Sequence, residues 1–195
     1  MQIIKKSDNR QNLAIVNKIA DIPNGVTVSV ADMTQSVIYE GTPVGRDGNG
    51  LCHIIKMADV AVAGSATTDT TYTVKKGHNF AVGTVIMSKV GGKASAITAI
   101  ATNAANSAYD DITVGASLGV TVAVGDVLME AASATTSNAS KFLYTPFAIV
   151  GESYNVVNGD SMIVNAWLHA VVKEACLNFG VSADVKSALT TISFI

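Results

Sequence analysis

A short segment that recurs at an interval of forty-two residues constrains this chain more than any other feature of its sequence. The sequence reads Phe80-Ala-Val-Gly-Thr-Val-Ile-Met87 and again Val122-Ala-Val-Gly-Asp-Val-Leu-Met129, and a fainter copy, Gly41-Thr-Pro-Val44, lies the same distance earlier. Each copy places a glycine, which accepts positive φ, close before residues that favour strands. The spacing predicts one β-unit used more than once, with the Gly83 and Gly125 copies better matched than the Gly41 copy.

Alternation of apolar and polar residues extends this β character over much of the chain. Residues 26–30 alternate strictly, residues 94–102 alternate in part, and residues 162–172 form the longest such run. In that run Leu168 is predicted on the apolar, inward face. Trp167 falls on the opposite face, where it either covers a sheet or fills an interface.

Residues 1–36 are predicted to form an arm that precedes a β-rich domain over residues 37–195. Leu13, Val16 and Ala20 follow helical spacing, which predicts a helix within the arm.

A second, short helix is predicted near the C terminus. Ser182 is a suitable N-cap, Asp184 falls in the first turn, where a carboxylate is favoured, and the segment runs toward Leu189. Strand signals far outnumber these helical signals, so the fold class is mainly β.

The composition bounds the partners that the chain can have. Hydrophobic residues make up 49% of the chain and charged residues only 14%, against about 25% in an average soluble protein. A weakly charged surface is common where neighbouring subunits cover it, so a homo-oligomer is expected. Residues 1–18 carry a net charge of +3, which is too small a basic feature to predict a nucleic-acid partner. The sequence shows neither a secretory signal nor an apolar run long enough for a membrane span.

The residues that usually carry catalysis are not arranged for it. Cys52 and Cys176 lie far apart and outside any zinc-type spacing, and Cys52 is predicted to be a small buried hydrophobe. The histidines show no pair at i, i+4. Asp110 and Asp111 are predicted to be solvated acids beside a turn. We therefore expect no enzyme activity, no cofactor and no metal.

A carrier domain is one alternative. Gly77 and Gly83-Thr-Val-Ile resemble the turn-and-strand pattern of biotinyl and lipoyl carrier domains, which present one lysine at a hairpin tip. The candidate lysines lie in Ile55-Lys-Met57 and at Lys89, and neither segment reproduces the carrier motif.

The chain also resembles the head fibre and capsid decoration proteins of tailed bacteriophages. The resemblance covers roughly residues 37–176 and rests on small residues, glycines and alternation. Three segments carry it, namely Glu40-Gly-Thr-Pro-Val-Gly45, Tyr72-Thr-Val-Lys-Lys-Gly-His-Asn-Phe-Ala-Val-Gly-Thr-Val-Ile86, and Phe147-Ala-Ile-Val-Gly151 with the strand at 164–175 that follows it. The fourth feature is the Ala/Thr/Ser-rich β-hairpin character between them.

This resemblance implies a structural virion protein on the outer capsid surface. It implies a small β-barrel or β-tulip-like domain that forms a trimer and binds the major capsid protein, with an arm at one terminus. The arm could add a strand to a neighbour through residues 26–30. Another β-rich tail, fibre or adhesive module stays open as an alternative. The candidate interface residues are Leu13, Val16, Ile19, Val28 and Trp167.

Overall fold

The computed structural model describes residues 13–31, 33–156, 159 and 161–195. The fold is mainly β, with 42% strand and 5% helix, as the sequence predicted. In chain order the elements are β1 (Ile15–Asp21), β2 (Val26–Ser29), β3 (Val37–Ile38), β4 (Pro43–Arg46), β5 (Cys52–Ile54), β6 (Met57–Asp59), β7 (Thr71–Lys75), β8 (Val85–Met87), β9 (Ala94–Thr102), β10 (Tyr109–Val114), β11 (Val127–Glu130), β12 (Pro146–Val150), β13 (Tyr154–Asn155), β14 (Ser161–Val164), β15 (Ala166–Val172), a 3₁₀ turn (Glu174–Cys176), α1 (Ala183–Ala188) and β16 (Ile192–Phe194).

Six consecutive elements of the middle third form a barrel-like sheet, called here the barrel. Its strand order is β6-β11-β8-β9-β10-β7. The two end strands, β6 and β7, approach each other. Val60, just after β6, forms a β-bridge with Val74 of β7, and the N–H of Ala61 donates to the carbonyl of Thr73 at 2.8 Å. The sheet therefore curls until its edges meet.

The flanking thirds form a second sheet, called here the large sheet. Its order is β1-β15-β12-β4-β5-β2-β14, and β16 pairs with β15 in parallel. β1 and β14 are the two end strands. A separate two-stranded sheet joins β3 to β13.

The three repeat copies share one turn. The glycine has positive φ in each copy, 81°, 94° and 89° at Gly41, Gly83 and Gly125, as the third residue of a type II turn requires. The turn is closed by the same backbone hydrogen bond, from the residue after the glycine to the carbonyl three residues earlier. These bonds run from Thr42 to Tyr39 (3.1 Å), Thr84 to Ala81 (3.0 Å) and Asp126 to Ala123 (3.1 Å).

Each turn also docks on a neighbouring strand in the same register. The glycine N–H donates to that neighbour: Gly41 to Val150 (2.8 Å), Gly83 to Ile97 (2.8 Å) and Gly125 to Val60 (2.9 Å). The neighbour donates back to the residue after the glycine: Val150 to Thr42 (2.9 Å), Ile97 to Thr84 (2.9 Å) and Val60 to Asp126 (2.8 Å). The predicted β-unit is thus confirmed, and the weakly matched Gly41 copy shares its backbone pattern in full.

The Gly83 and Gly125 copies also pair with each other. Their strands, β8 and β11, run antiparallel with Met87 opposite Met129. The equivalent methionines of the two copies therefore face each other, and the two strands are related by a local two-fold axis near this pair.

Apolar side chains form one core inside the barrel, a second against the large sheet and a third between them. Tyr72 and Leu128 are among the buried residues inside the barrel. The shared core packs Met87 and Met129 of the barrel against Ile149 and Val172 of the large sheet. This shared core fixes how the two sheets lie on each other.

Residues 13–31 belong to the large sheet rather than to a separate arm. The spacing of Leu13, Val16 and Ala20 predicted a helix, and this prediction is wrong, because the segment forms β1 and pairs along β15. The gain from completing a sheet edge outweighs a weak helical pattern. Residues 1–12 of the predicted arm lie outside the described residues.

The short C-terminal helix is confirmed. The side chain of Ser182 accepts a hydrogen bond from the N–H of Val185 at 3.2 Å, and Asp184 lies in the first turn. Val185 and Leu189 are buried and close the shared core from outside.

Candidate interaction surface

The pairing of β1 with β15 breaks register three times, and each break leaves one large apolar residue without a Cα partner. These residues are Val16 and Ile19 on β1 and Leu168 on β15. The partners on either side are Ile15↔Val172, Asn17↔Val171, Lys18↔Ala170, Ala20↔His169 and Asp21↔Trp167. An extra residue of this kind is a β-bulge, which bends the strand and re-aims a side chain.

All three bulged side chains are exposed. Val16 is 53% exposed, Ile19 52% and Leu168 38%, and Leu13, just before β1, is 64% exposed. We call these four residues the bulged edge. Exposed apolar residues are ordinary one at a time, but a group of them on one strand pair is a candidate interaction surface.

The placement of Leu168 corrects the expectation from alternation. Residues 162–172 do not form one strand, because the run breaks at Asn165 into β14 and β15. Ala170 and Val172 face inward as predicted, with no exposed surface. Leu168 does not, because it is the extra residue of a bulge.

Trp167 covers the sheet beside the bulged edge. Its indole lies against Gly151, where a Cβ would sit 2.4 Å from Nε1. The Nζ atom of Lys18 is 5.6 Å from the ring centroid and donates to the carbonyl of Gly151 at 3.1 Å. The half-buried indole and the ammonium thus form a polar border to the apolar residues.

Val28 has no exposed surface and packs in the core of the large sheet. It is therefore unavailable to a partner. Strand addition through residues 26–30 is also wrong, because β2 is paired on both sides, with β14 and with β5. Burial and full pairing remove both the side chain and the backbone groups that a neighbouring chain would need.

β1, like β14, is an end strand of the large sheet in the part of the chain that the structure describes. Six of its seven residues, all except Ile15, are exposed. Bulges on such an edge interrupt the regular row of backbone groups and so oppose simple strand addition. The bulged edge is therefore suited to contact through side chains.

Cys52 and the two adjacent aspartates lie in other strands than the bulged edge, in β5 and β10. Cys52 is 1% exposed, as predicted, and burial raises the pKa of its thiol. Asp110 and Asp111 are not solvated acids beside a turn, because both lie half-buried in β10. Asp111 accepts hydrogen bonds from Thr73 and Asn103.

The two lysines considered for a carrier role differ in exposure. Lys56 is 6% exposed, with Nζ 3.4 Å from Oε1 of Glu130, so it cannot present a prosthetic group. Lys89 is exposed between β8 and β9.

Two absences hold for the part of the chain that the structure describes. No group of three or more His, Cys, Asp or Glu side chains there is placed to hold a metal ion. No helix there is long and apolar enough to cross a membrane.

Comparison with known proteins adds no relative. No protein-family model matches the chain, and no curated protein or solved structure matches it.

Proposed function

We propose that this chain is a structural virion protein, a head fibre or decoration protein that binds the outer capsid surface of a tailed phage as a homotrimer. The observation that carries the proposal is the bulged edge, where three register breaks each turn a large apolar side chain outward. The mainly β, barrel-like fold and the low charge content agree with the same role.

The energetics favour assembly through this edge. Val16 and Ile19 are each about half exposed, so covering the rest of each side chain contributes about 1 kcal/mol. Such contacts are individually weak, but an oligomer that engages several capsid sites at once multiplies them through effective concentration.

The first test is the solution mass of the full chain by light scattering. Three chains of 20.1 kDa would support the proposed trimer, and a clean monomer would contradict it.

The second test is co-sedimentation with capsids of the phage that encodes the chain, comparing wild type with a Val16→Asp/Ile19→Asp variant. Loss of binding or of the trimer in that variant supports the bulged edge as the contact.

A matched control is the double variant Val82→Asp/Val124→Asp. Val82 and Val124 are 64% and 66% exposed at the tips of the Gly83 and Gly125 turns on the barrel, so this control receives the same two charges at similar exposure but away from the bulged edge. Equal loss of capsid binding or of the trimer in both variants would refute the assignment of the surface. Binding to host cells without capsid binding would instead favour an adhesive module. An added mass on Lys89 in the intact protein would favour a carrier.

A further inference from the structure

The barrel and the large sheet are joined by a small polar contact outside the shared core. The contact is made by the β7–β8 connection of the barrel, at His78 and Asn79, and by residues 33–36, which leave β2 of the large sheet. The Asn79 Oδ1 atom accepts from the N–H groups of Thr34 and Gln35, both at 3.0 Å. The His78 carbonyl accepts from the side chains of the same two residues, both at 3.1 Å. We call these four bonds the latch.

The imidazole of His78 is held in one neutral form beneath the latch. His78 is 5% exposed, and its Nδ1 atom accepts the N–H of Phe80 at 3.2 Å. An accepting Nδ1 carries no proton, so the ring proton is on Nε2. Nε2 faces Oδ2 of Asp110 at 3.4 Å.

We propose that His78 makes the latch acid-sensitive, so that protonation of its ring loosens the joint between the barrel and the large sheet. A second proton would have to go on Nδ1, where it would meet the N–H of Phe80, and two donors cannot share that contact. Phe80 is 2% exposed, so its N–H would lose its acceptor in a buried place. The connection would then have to move, and His78 and Asn79 carry all four latch bonds.

The charges around the ring act in opposite directions. Asp110, from β10, favours the protonated ring, and Lys76 lies 3.6 Å from the other oxygen of the same carboxylate and weakens that effect. Thr34 and Gln35 present only neutral groups. Burial outweighs Asp110 and lowers the pKa of His78 below its ordinary value of 6.5. Because the open joint binds the proton more readily, the latch is fully closed above pH 6.5 and loosens as the pH falls below it.

The test is amide hydrogen exchange at Thr34 and Gln35 in the full chain, corrected for intrinsic rates, from pH 7 to pH 5.5. We expect exchange at both amides to rise by up to about tenfold, the limit for one linked proton over this range, while the barrel-core amide of Ile112 does not change. A rise below twofold would overturn the proposal.

Three variants separate titration from simple damage. His78→Gln keeps a neutral acceptor near Phe80 but cannot titrate, so its exchange should not depend on pH. Asp110→Asn removes the charge that favours protonation of the closed form, so the onset near pH 6.5 should stay and the rise at pH 5.5 should be at least as large as in wild type. The matched control His169→Gln alters an exposed histidine on β15 and should behave as wild type. If His78→Gln does not fold, the ¹⁵N shifts of the wild-type ring still decide, because an Nδ1-protonated neutral ring would contradict the mechanism.

Discussion

Two isoleucines of one strand provide the sharpest test of the bulged edge. Ile15 and Ile19 both lie in β1, yet Ile15 is 3% exposed in the shared core and Ile19 is 52% exposed at a bulge. The same substitution to aspartate should therefore have very different effects. Ile15→Asp loses the whole apolar contribution, about 2–3 kcal/mol, and leaves an unpaired carboxylate in the core, which costs about 3–5 kcal/mol more.

That total approaches the full stability of many domains, about 5–15 kcal/mol, so Ile15→Asp should be largely unfolded. Ile19→Asp loses only the buried half of its side chain, about 1 kcal/mol, which in a chain of this length lowers the Tm by about 2–4 °C. Thermal unfolding by circular dichroism measures both effects, and light scattering then reports whether Ile19→Asp has become a monomer. Equal destabilisation by the two variants would refute the bulge. A stable Ile19→Asp oligomer of wild-type mass would refute the interface.

The remaining predictions concern the same strand pair and the repeat. Leu168→Asp should cost about 1–2 kcal/mol, since the side chain is partly exposed, whereas Ala170→Asp, two residues on and fully buried, should prevent folding. Urea unfolding compares them, and similar midpoints would show that Leu168 faces inward after all. Gly83→Ala should cost about 1–2 kcal/mol for positive φ alone, because its Cβ position is open. Gly41→Ala should cost at least as much, because its Cβ would also meet Cδ2 of Leu177, which would have to shift, and a smaller loss of Tm than for Gly83→Ala would contradict the packing of that turn.

The repeat and the C-terminal helix were predictable because their causes are local. A glycine before β-branched residues is sufficient for the turn at Gly83 and Gly125. A serine directly before the helix is sufficient for the N-cap at Ser182, because its side chain accepts the N–H of the residue three positions on. The Gly41 copy was the hardest to recognise, since Pro43 and Glu40 replace the valines of the other copies. Its turn forms all the same, because backbone hydrogen bonds depend on the glycine more than on its neighbours.

The acidic and histidine residues were harder to place. Asp110 and Asp111 follow a polar break in the sequence, which favours a turn, but pairing with β7 and β9 extends the strand through both. Nothing near His78 in the sequence indicates burial. The partners that fix its environment, Asp110 and residues 33–36, lie more than thirty residues away along the chain.

By itself, the sequence determined the mainly β class, the repeated turn and the positions of most strands, because turn chemistry and alternation act within a few residues. Only the tertiary structure decided which apolar residues point outward. Val28 and Val16 are both valines of N-terminal strands, and one is buried while the other is exposed. The difference comes from register between segments about 150 residues apart, where β1 meets β15. A bulge is a mismatch between two strands, so neither strand encodes it alone.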